Sequence, residues 1–410
     1  MNSITFNLKV LTPLFMGGAN QQAELRSQSF KGLFRYWYRV LGGSMKEERE
    51  IFGWGGEKSL SSLFKIMIIK KNQLTKSRLS KDFENGNFAQ NGFNYLSFSL
   101  DQRRKLNDNK LQREYINKDT KIGLKVLFVK SIKIEYIKKI LASIWCSFYL
   151  GNFGSRSRRG FGSIIVDSIE SDFKYDDILK VEWKISIDDA KQEISAEDIK
   201  QCYMRQIEIL KNVFEKSNYN DIPSIKKDFN IYFLDKDNIA SIKDFVNDVQ
   251  KGRSGRFLAR NFNKTSINNE KDILDTMGFL MMAYRSYYQN DYNNAKNAIN
   301  HIGSVNSVTI ERSAFGLPLP FYFSSIKRSG TVEAFKKVDK KMQTYRRASP
   351  VIFKVVKDNK NRYHGIFIYF KSRFLPDDIR MELKRINVNK PDFAVIDIFF
   401  KKLKDYSIVV

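Results

Sequence analysis

Cysteine and histidine are scarce in this chain of 410 residues. It has two cysteines, Cys146 and Cys202, and two histidines, His301 and His364. The cysteines are far apart in sequence, which excludes a disulfide scaffold and a cysteine-based zinc site. Free thiols of this kind fit a reducing, cytoplasmic compartment. Because histidine ligands are equally scarce, we expect neither a bound metal nor another cofactor, and many classes of enzyme are excluded.

Proline and long apolar runs are also scarce. The chain has 7 prolines, and 42% of its residues are hydrophobic, so it is predicted to fold around sizeable cores. The longest apolar runs, at 140–150 and 277–284, are well short of the roughly 20 residues that span a bilayer. No signal peptide is visible at the N-terminus. We therefore expect a cytoplasmic protein with no membrane partner, of about two domains.

Acidic residues are too few to balance the basic ones. The chain has 71 Lys and Arg against 45 Asp and Glu, a formal net charge of +26. An AT-rich genome inflates lysine without any function, but an excess of this size favours a polyanionic partner. Nucleic acid is the first candidate and a membrane surface the second. The second would use a terminal basic amphipathic helix or a lipidation motif, and the sequence shows neither.

Residues 1–172 predict one domain. Apolar and polar residues alternate over 4–10, as in a half-buried strand, and an amphipathic helix is predicted at 30–41. Further strands are predicted at 63–69, 95–100, 123–129 and 163–169, a second helix at 134–150, and polar loops at 70–94 and 101–121. With one strand left over in the insertion, this order of strands and helices is typical of a ferredoxin-like, or RRM-like, domain.

Residues 173–410 predict a second domain of the same kind. Strands are predicted at 181–187, 321–323, 351–356, 365–370 and 394–400, with helices at 196–214, 239–250, 273–299 and 377–385. The long helices form an insertion at about 190–310. The predicted fold class is therefore α+β, with tandem ferredoxin-like domains and a helical insertion in the second half.

The helix predicted at 30–41 carries a basic stripe. Its apolar residues share one face, while Lys31, Arg35 and Arg39 gather on another at spacings of four. No acidic residue at i±4 on this helix neutralises the stripe, and the nearby Gly32 would let a phosphate approach closely. Helix N-termini also favour anions. The pattern therefore favours RNA binding, although a solvated cationic face of an ordinary surface helix would look the same.

A second basic feature is the segment GNFGSRSRRGFGS, from Gly151 to Ser163. Its glycines, which permit positive φ and close contact through backbone N–H groups, are Gly151, Gly154, Gly160 and Gly162. Its guanidinium groups, which match the geometry of phosphate, belong to Arg156, Arg158 and Arg159. It is no Walker loop, because Gly-Lys-[Ser/Thr] is missing. A plain turn with incidental arginines is the alternative interpretation.

The motifs together resemble a known family. TPLFMGG (12–18), ELRSQSFKGLFRYWYR (24–39), EREIFG (48–53) and GSRSRRGFGS (154–163) follow one another as in the RAMP superfamily of CRISPR–Cas proteins. SAFGLP (313–318) and RRASP (346–350) extend the resemblance into the second half. Within the superfamily, the pattern is most similar to the first-numbered subunits of type III-B Cmr effector complexes.

The resemblance implies a role in a ribonucleoprotein of antiviral defence. Such a subunit has tandem ferredoxin-like RNA-recognition modules and lies at one end of the complex backbone, near the 3′ portion of the guide CRISPR RNA. There it helps capture target RNA, next to other RAMP subunits, and does not catalyse cleavage. The basic residues that the resemblance assigns to RNA binding are Arg26, Lys31, Arg35, Arg39, Arg156, Arg158, Arg159, Arg346 and Arg347.

The main alternative is a metal-independent endoribonuclease of the same superfamily that processes CRISPR repeats. Such cleavage needs a general base and a general acid, commonly His, Tyr or Lys. We interpret both histidines as structural. A two-metal nuclease would need converging carboxylates, but the pairs Asp188-Asp189 and Asp377-Asp378 are predicted to begin helices. We therefore expect a binding subunit and no catalytic residue.

Aromatic side chains near the basic residues are candidate platforms for stacked bases. Tyr36, Tyr38, Phe153 and Phe161 qualify by position, whereas Trp37 is predicted to belong to the core. Tyr287 and Tyr288 could be core, interface or RNA-facing residues.

Overall fold

The computed structural model describes most of the chain. The described residues are 2–20, 22–70, 74–78, 92–98, 100, 113–186, 193–214, 222–227, 229–250, 262, 264–286, 289–300, 305–338 and 341–410. Asp188, Asp189, Tyr287, Tyr288 and His301, singled out in the sequence, lie outside these residues, as do most of the polar stretches at 70–94 and 101–121.

The first half is built around a four-stranded antiparallel sheet. Its strands and helices are β1 (Ser3–Val10), α1 (Ser27–Val40), α2 (Met45–Phe52), β2 (Phe64–Lys70), β3 (Lys76–Arg78), α3 (Gly92–Ser97), β4 (Glu114–Ile116), β5 (Lys121–Phe128), α4 (Ile134–Tyr149) and β6 (Ile164–Ser171). The strand order is β2-β5-β1-β6, and β3 and β4 form a separate hairpin. Helix α1 follows β1 and α4 follows β5, which is the order of strands and helices along the chain that the sequence predicted.

Apolar periodicity explains these elements. In β1 the alternating Ile4, Phe6 and Leu8 are buried, and they share one core with Phe34 of α1 and Ile144 of α4. One face of the sheet therefore packs on the apolar stripes of two helices.

The second half contains two more sheets. Its elements are α5 (Tyr175–Ile178), α6 (Ala196–Lys211), β7 (Phe229–Phe233), α7 (Ile239–Gln250), α8 (Glu270–Ser286), α9 (Gln289–Asn300), β8 (Ser307–Thr309), β9 (Leu319–Phe323), β10 (Arg328–Val338), β11 (Lys341–Tyr345), β12 (Val351–Lys357), β13 (Tyr363–Phe370), β14 (Ile379–Leu383), β15 (Ile386–Asn389) and α10 (Ala394–Asp405), with 3-10 turns at Glu311–Phe315 and Ser324–Ile326. A three-stranded sheet has the order β12-β13-β7. A six-stranded sheet has the order β11-β10-β14-β15-β8, with β9 paired to β10.

Strand β13 joins the two largest cores. Its residues Ile366, Ile368 and Phe370 belong to the core of the first half, while Phe367 and Tyr369 belong to a core with α8 and α10. Successive side chains of a strand point to opposite faces. The three-stranded sheet is therefore buried on both sides, and the two halves of the chain share a core.

Four elements differ from the sequence prediction. The strand predicted at 95–100 is helix α3, whose Gly92 packs against Gly278 of α8. The helix predicted at 377–385 is strand β14, in which Ile379, Met381 and Leu383 are buried with a period of two. The strand predicted at 394–400 is helix α10. Strand β7 lies inside the predicted helical insertion.

Two smaller predictions were also wrong. Residues 181–186, the described part of the strand predicted at 181–187, form no regular element. Asp377 and Asp378 do not begin a helix; they pair with Arg373 and Lys336 beside β14. Of the helices that the structure describes, none is long and apolar enough to cross a membrane.

Candidate nucleic-acid interface

The segment from Gly151 to Ser163, called here the glycine loop, joins α4 to β6. Its backbone is left-handed at Gly154, Gly160 and Gly162, with φ of 79°, 82° and 73°, as the sequence predicted, and also at Arg156, with φ of 60°. A Cβ on Gly162 would lie 1.9 Å from the carbonyl oxygen of Phe153. Glycine is therefore required there by both conformation and space.

Gly151 is a glycine for a different reason. Its φ is not left-handed, but a Cβ on it would lie 2.6 Å from Nε1 of Trp37 and 2.9 Å from the carbonyl oxygen of Ser147. The close packing of α1 against α4 therefore requires glycine at this position.

Two backbone amides of the loop donate hydrogen bonds to the segment that follows β1. The N–H of Gly162 donates to the carbonyl of Pro13 at 2.9 Å, and the N–H of Ser155 donates to the carbonyl of Phe15 at 2.8 Å. The expectation that the loop glycines present N–H groups to a phosphate is therefore wrong at Gly162. The fold thus already uses the N–H groups of Ser155 and Gly162.

Arg158 connects the two halves of the chain. Its guanidinium donates to the carbonyl of Ser349 and, at 3.2 Å, to the hydroxyl of Tyr36 on α1. The carbonyl of Arg158 also accepts the N–H of Phe353 at 3.2 Å. The loop thus lies directly against the segment that contains Arg346 and Arg347.

Arg159 is held in an apolar setting. Its guanidinium lies 5.7 Å from the ring centre of Phe353, and its buried Nη1 has no hydrogen-bond partner. Burial, with a smaller contribution from the neighbouring Arg285, lowers the pKa of Arg159 to about 10. The charged form of Arg159 is therefore less favourable in the folded chain than it is in water. A bound anion would stabilise that charged form.

Arg285, at the end of α8, is a neighbour that the sequence analysis missed. It donates to the hydroxyl of Tyr95 at 2.7 Å, and its Nε is buried without a partner. Together with burial, its charge lowers the pKa of both Arg156 and Arg159. No sequence signal marks this arginine, because it ends an ordinary apolar helix far from the loop.

We call five of these residues the arginine cluster: Arg156, Arg158, Arg159, Arg285 and Arg347. In the part of the chain that the structure describes, none of them lies within 4 Å of a carboxylate. Four of them each keep one buried N–H group without an acceptor. Native proteins rarely leave such donors unsatisfied, so the cluster has the composition of a site for an anion.

Arg312, which contacts the backbone of Arg285, shows the opposite arrangement. It pairs with the buried Asp291 at 3.1 Å and also donates to the carbonyl of Arg285. Among the described residues, the fold therefore supplies a carboxylate to the buried arginine beside the cluster and none to the cluster itself.

The basic stripe of α1 is partly neutralised. Glu48 of α2, only 5% exposed, accepts two hydrogen bonds of 2.6 Å from Arg39 and lies 3.4 Å from Arg35. The sequence had shown no acidic residue at i±4 on α1, and that remains so. The counter-charge comes from the next helix, so the stripe is less basic than its sequence indicates.

The remaining predicted residues differ in their surroundings. Lys31 is half-buried, and burial together with Arg35 lowers its pKa to about 8. Arg26 is exposed and lies 3.3 Å from Glu24, while Arg346 is exposed beside the cluster. Arg347 donates to the hydroxyl of Ser372 at 2.9 Å, and burial lowers its pKa, as does Arg158. The structure brings the loop arginines and Arg347 together, whereas the α1 stripe contacts α2 through Glu48 and β2 through Phe64.

Of the candidate stacking platforms, Tyr36 alone keeps partial exposure. Tyr38, Phe153 and Phe161 are at most 1% exposed and belong to cores, so the prediction that they stack bases was wrong. Trp37 is a core residue as predicted.

Of the two histidines weighed as catalytic groups, His364 is the one that the structure describes. His364 is 4% exposed and its Nε2 lies 2.9 Å from Asp358, which also pairs with Arg362. Burial lowers the pKa of His364, so it is neutral at pH 7. Within the described ranges, no three His, Cys, Asp or Glu side chains are placed to hold a metal ion.

Comparisons with known proteins agree with these observations. A family model described as the RAMP superfamily matches residues 7–165. The CRISPR system Cmr subunit Cmr1-2 of Pyrococcus furiosus is 32% identical over 187 residues, which cover 41% of this chain and 97% of that relative. Subunit Cmr1-1 of the same organism is 30% identical over 200 residues, 46% of this chain and 52% of that relative.

A solved structure extends the similarity to the whole fold. The crystal structure of Cmr1 from Pyrococcus furiosus, in its apo form, superposes with a TM-score of 0.56 and 15% identity, covering 100% of this chain and 98% of that one. At this identity the superposition speaks for the fold alone. Together with the sequence matches and the motifs, it leads to one assignment. The chain belongs to the RAMP superfamily, among its Cmr1-type subunits.

Proposed function

We propose that this chain is an RNA-binding, non-catalytic subunit of a type III-B CRISPR effector complex. The Pyrococcus furiosus relatives are named as subunits of a Cmr system, which supports membership in such a complex. In the cytoplasm, with other RAMP subunits as neighbours, the chain would cap one end of the backbone near the 3′ portion of the guide RNA and help capture target RNA in antiviral defence.

The observation that carries the proposal is the arginine cluster. Five guanidinium groups meet where the two halves of the chain touch, and in the described residues no carboxylate accompanies them. Phosphate groups of RNA carry the negative charge that complements these guanidinium groups. The +26 net charge of the whole chain would steer RNA toward this site.

We also infer that the chain is a tandem of two ferredoxin-like modules, at 1–172 and 173–410. In the second, β12, β13 and β7 follow the same order as β2, β5 and β1 of the first. The C-terminal Val410 takes the place of the fourth strand, because it exchanges two backbone hydrogen bonds with Phe233. The six-stranded sheet and helices α7–α9 would then be insertions, and the arginine cluster would lie at the junction of the modules.

Substitution of the loop arginines tests the proposal. Changing Arg156, Arg158 and Arg159 together to Ala should weaken the binding of single-stranded RNA. It should also reduce the slope of log K against log salt by about 0.7 for each lost phosphate contact. The matched control removes the same charge from exposed positions elsewhere, as Lys130, Lys327 and Lys384 to Ala.

Two results would refute this function. If the arginine variant and the lysine control keep the same affinity and salt slope, the cluster does not bind RNA. If the purified chain cuts a labelled CRISPR repeat RNA at one site, and the cutting is lost on changing His301 or His364, the chain is an endoribonuclease of the superfamily. We expect neither result, because His364 is buried against Asp358.

A further inference from the structure

Strand β11 is an exposed edge strand that leads directly to the arginine cluster. All of its residues, Lys341–Tyr345, are exposed, and among the described strands it pairs with β10 alone. Arg346 and Arg347 follow it in sequence, and Arg347 belongs to the cluster. An RNA strand held at Arg347 would therefore meet β11 next.

One face of β11 carries a regular series of side chains. Successive side chains of a strand point to opposite faces, so Lys341, Gln343 and Tyr345 share a face, and Gln343 lies opposite Lys336 of β10. Arg347 continues the spacing of two residues. Burial lowers the pKa of Arg347, and Tyr345 is one of the groups close enough to oppose that effect. From the hairpin to the cluster, this face therefore presents a cation, an amide, an aromatic ring and a second cation.

The side chains of this face are accessible to a ligand. Tyr345 is 38% exposed, and among the described residues its ring packs on no other aromatic ring. Lys341 is exposed too, and no carboxylate of the described residues lies within 4 Å of its Nζ. Lys336, in contrast, is paired with Asp378 at 3.0 Å. The face thus presents one ring and one unpaired ammonium group beside the cluster.

An exposed ring between cations on an open strand suits single-stranded nucleic acid. Unpaired bases stack on accessible aromatic side chains, and the cations on either side bind the phosphates. The six residue steps from Lys341 to Arg347, at about 3.3 Å each, span roughly 20 Å, which is long enough for several nucleotides. In a duplex the bases are stacked on one another, so Tyr345 would not reach them.

A partner protein could add a strand to the same edge, but two observations favour RNA. Lysines on an edge strand oppose pairing with a further strand, and β11 begins with Lys341. The strand is also continuous in sequence with Arg346 and Arg347, for which RNA phosphates are the proposed ligand.

We propose that single-stranded RNA held by the arginine cluster continues along β11, where one base stacks on Tyr345 and a further phosphate binds Lys341. The inference rests on the proposed function, to which it adds a stacking residue and a path for the strand. The stacking is independent of base identity, because every base has a π face.

The test compares two tracts of equal length, one of uridines and one of abasic nucleotides. Both carry the same phosphates, and only the first has bases. By fluorescence anisotropy, the full chain should bind the uridine tract roughly tenfold more tightly than the abasic tract. Tyr345→Ala should remove most of this difference and leave the affinity for the abasic tract unchanged. The control is Tyr322→Ala on β9, which removes a tyrosine that is 69% exposed on the same sheet and should retain the difference.

A lysine variant tests the path of the strand. Lys341→Ala should weaken the binding of both tracts and reduce the slope of log K against log salt by about 0.7. Its control is Lys130→Ala, which removes an exposed lysine that follows β5 and should leave the slope unchanged.

The outcomes separate this inference from the proposed function. Equal binding of the two tracts by the unmodified chain, or a difference that Tyr345→Ala retains, would overturn the stacking on Tyr345 alone. The same salt slope in Lys341→Ala and Lys130→Ala would overturn the path along β11. A chain that binds neither tract would contradict the RNA-binding function itself, and with it the inference. The comparison of the two tracts uses the unmodified chain, so its result stands even if a variant fails to fold.

Discussion

Arg159, which is partly buried, and Arg312, which is buried, allow a direct comparison of two arginines of which, among the described residues, only the second has a carboxylate partner. We predict that Arg159→Met leaves the free energy of unfolding unchanged or raises it, while Arg312→Met lowers it strongly. Both changes replace an arginine by an unbranched apolar side chain. The main difference is the carboxylate of Asp291, which lies 3.1 Å from Arg312.

The expected magnitudes come from the surroundings of each group. Burial lowers the pKa of Arg159 to about 10, against an ordinary value of roughly 12.5. The guanidinium is charged at pH 7 in both the folded and the unfolded chain, so the folded state bears the full penalty, about 3 kcal/mol at 1.36 kcal/mol per pKa unit. Partial contact with solvent reduces this to roughly 1–2 kcal/mol. Losing the contact with the ring of Phe353 costs about 0.5–1 kcal/mol, so the net change is between zero and about 1.5 kcal/mol of stabilisation.

For Arg312→Met the sign is reversed. Asp291 is 1% exposed and would lose the side-chain hydrogen bond of its only cationic partner among the described residues. Removing one member of a buried pair costs about 3–5 kcal/mol. Asp291 still accepts the backbone N–H groups of Glu311 and Arg312, which places the expected loss at the lower end of that range.

Urea denaturation at pH 7, followed by tryptophan fluorescence, measures both variants under the same conditions. RNA binding is measured in parallel: Arg159→Met should weaken it although the protein is as stable as before. A loss of stability in Arg159→Met equal to that in Arg312→Met would refute the reasoning, because it would mean that the fold depends on the Arg159 charge. Unchanged RNA binding would remove Arg159 from the phosphate site.

Two further predictions concern charges outside the arginine cluster. Glu48→Gln should lower the free energy of unfolding by about 1–3 kcal/mol, because Arg35 and Arg39 lose their counter-charge. For the same reason it should raise the affinity for RNA at low salt. Unchanged affinity would exclude these two arginines from RNA contact. Burial lowers the pKa of Lys354 well below its ordinary value. At a pH between the folded and the unfolded pKa, Lys354 therefore carries a proton in the unfolded chain and none in the folded chain. Stability should therefore rise with pH, by about 1.4 kcal/mol per pH unit, between the folded and the unfolded pKa, and Lys354→Met should remove this rise; parallel pH profiles for the two proteins would contradict the prediction.

Local patterns in the first half were sufficient to predict most of its elements. Helices α1 and α4 lie within three residues of their predicted ends, because strong apolar stripes and flanking glycines mark them. The pattern was less informative at α10, where Val395, Ile396, Phe399 and Phe400 form two apolar pairs. A short apolar run of this kind fits a strand as well as a buried helix, and its packing on β13 decided between them.

The local sequence pattern also failed to predict the hairpin of β14 and β15. The acidic pair Asp377-Asp378 resembles a helix start, yet the residues that follow are buried with a period of two. Pairing with β10 decided their conformation, and such pairing between distant segments leaves little trace in a single sequence.

The sequence by itself determined that this protein is basic and folds as α+β, with a glycine loop rich in arginine and RAMP motifs along its length. These properties are local, since they depend on composition and on the spacing of neighbouring residues. The tertiary structure was needed to show which arginines have no carboxylate partner among the described residues. Glu48 neutralises arginines of α1 that looked free in the sequence, Asp291 neutralises Arg312, and Arg285 and Arg347 join the loop from distant segments. Electrostatic interactions depend on distance in space, so the arginine cluster forms only when the two halves of the chain pack together.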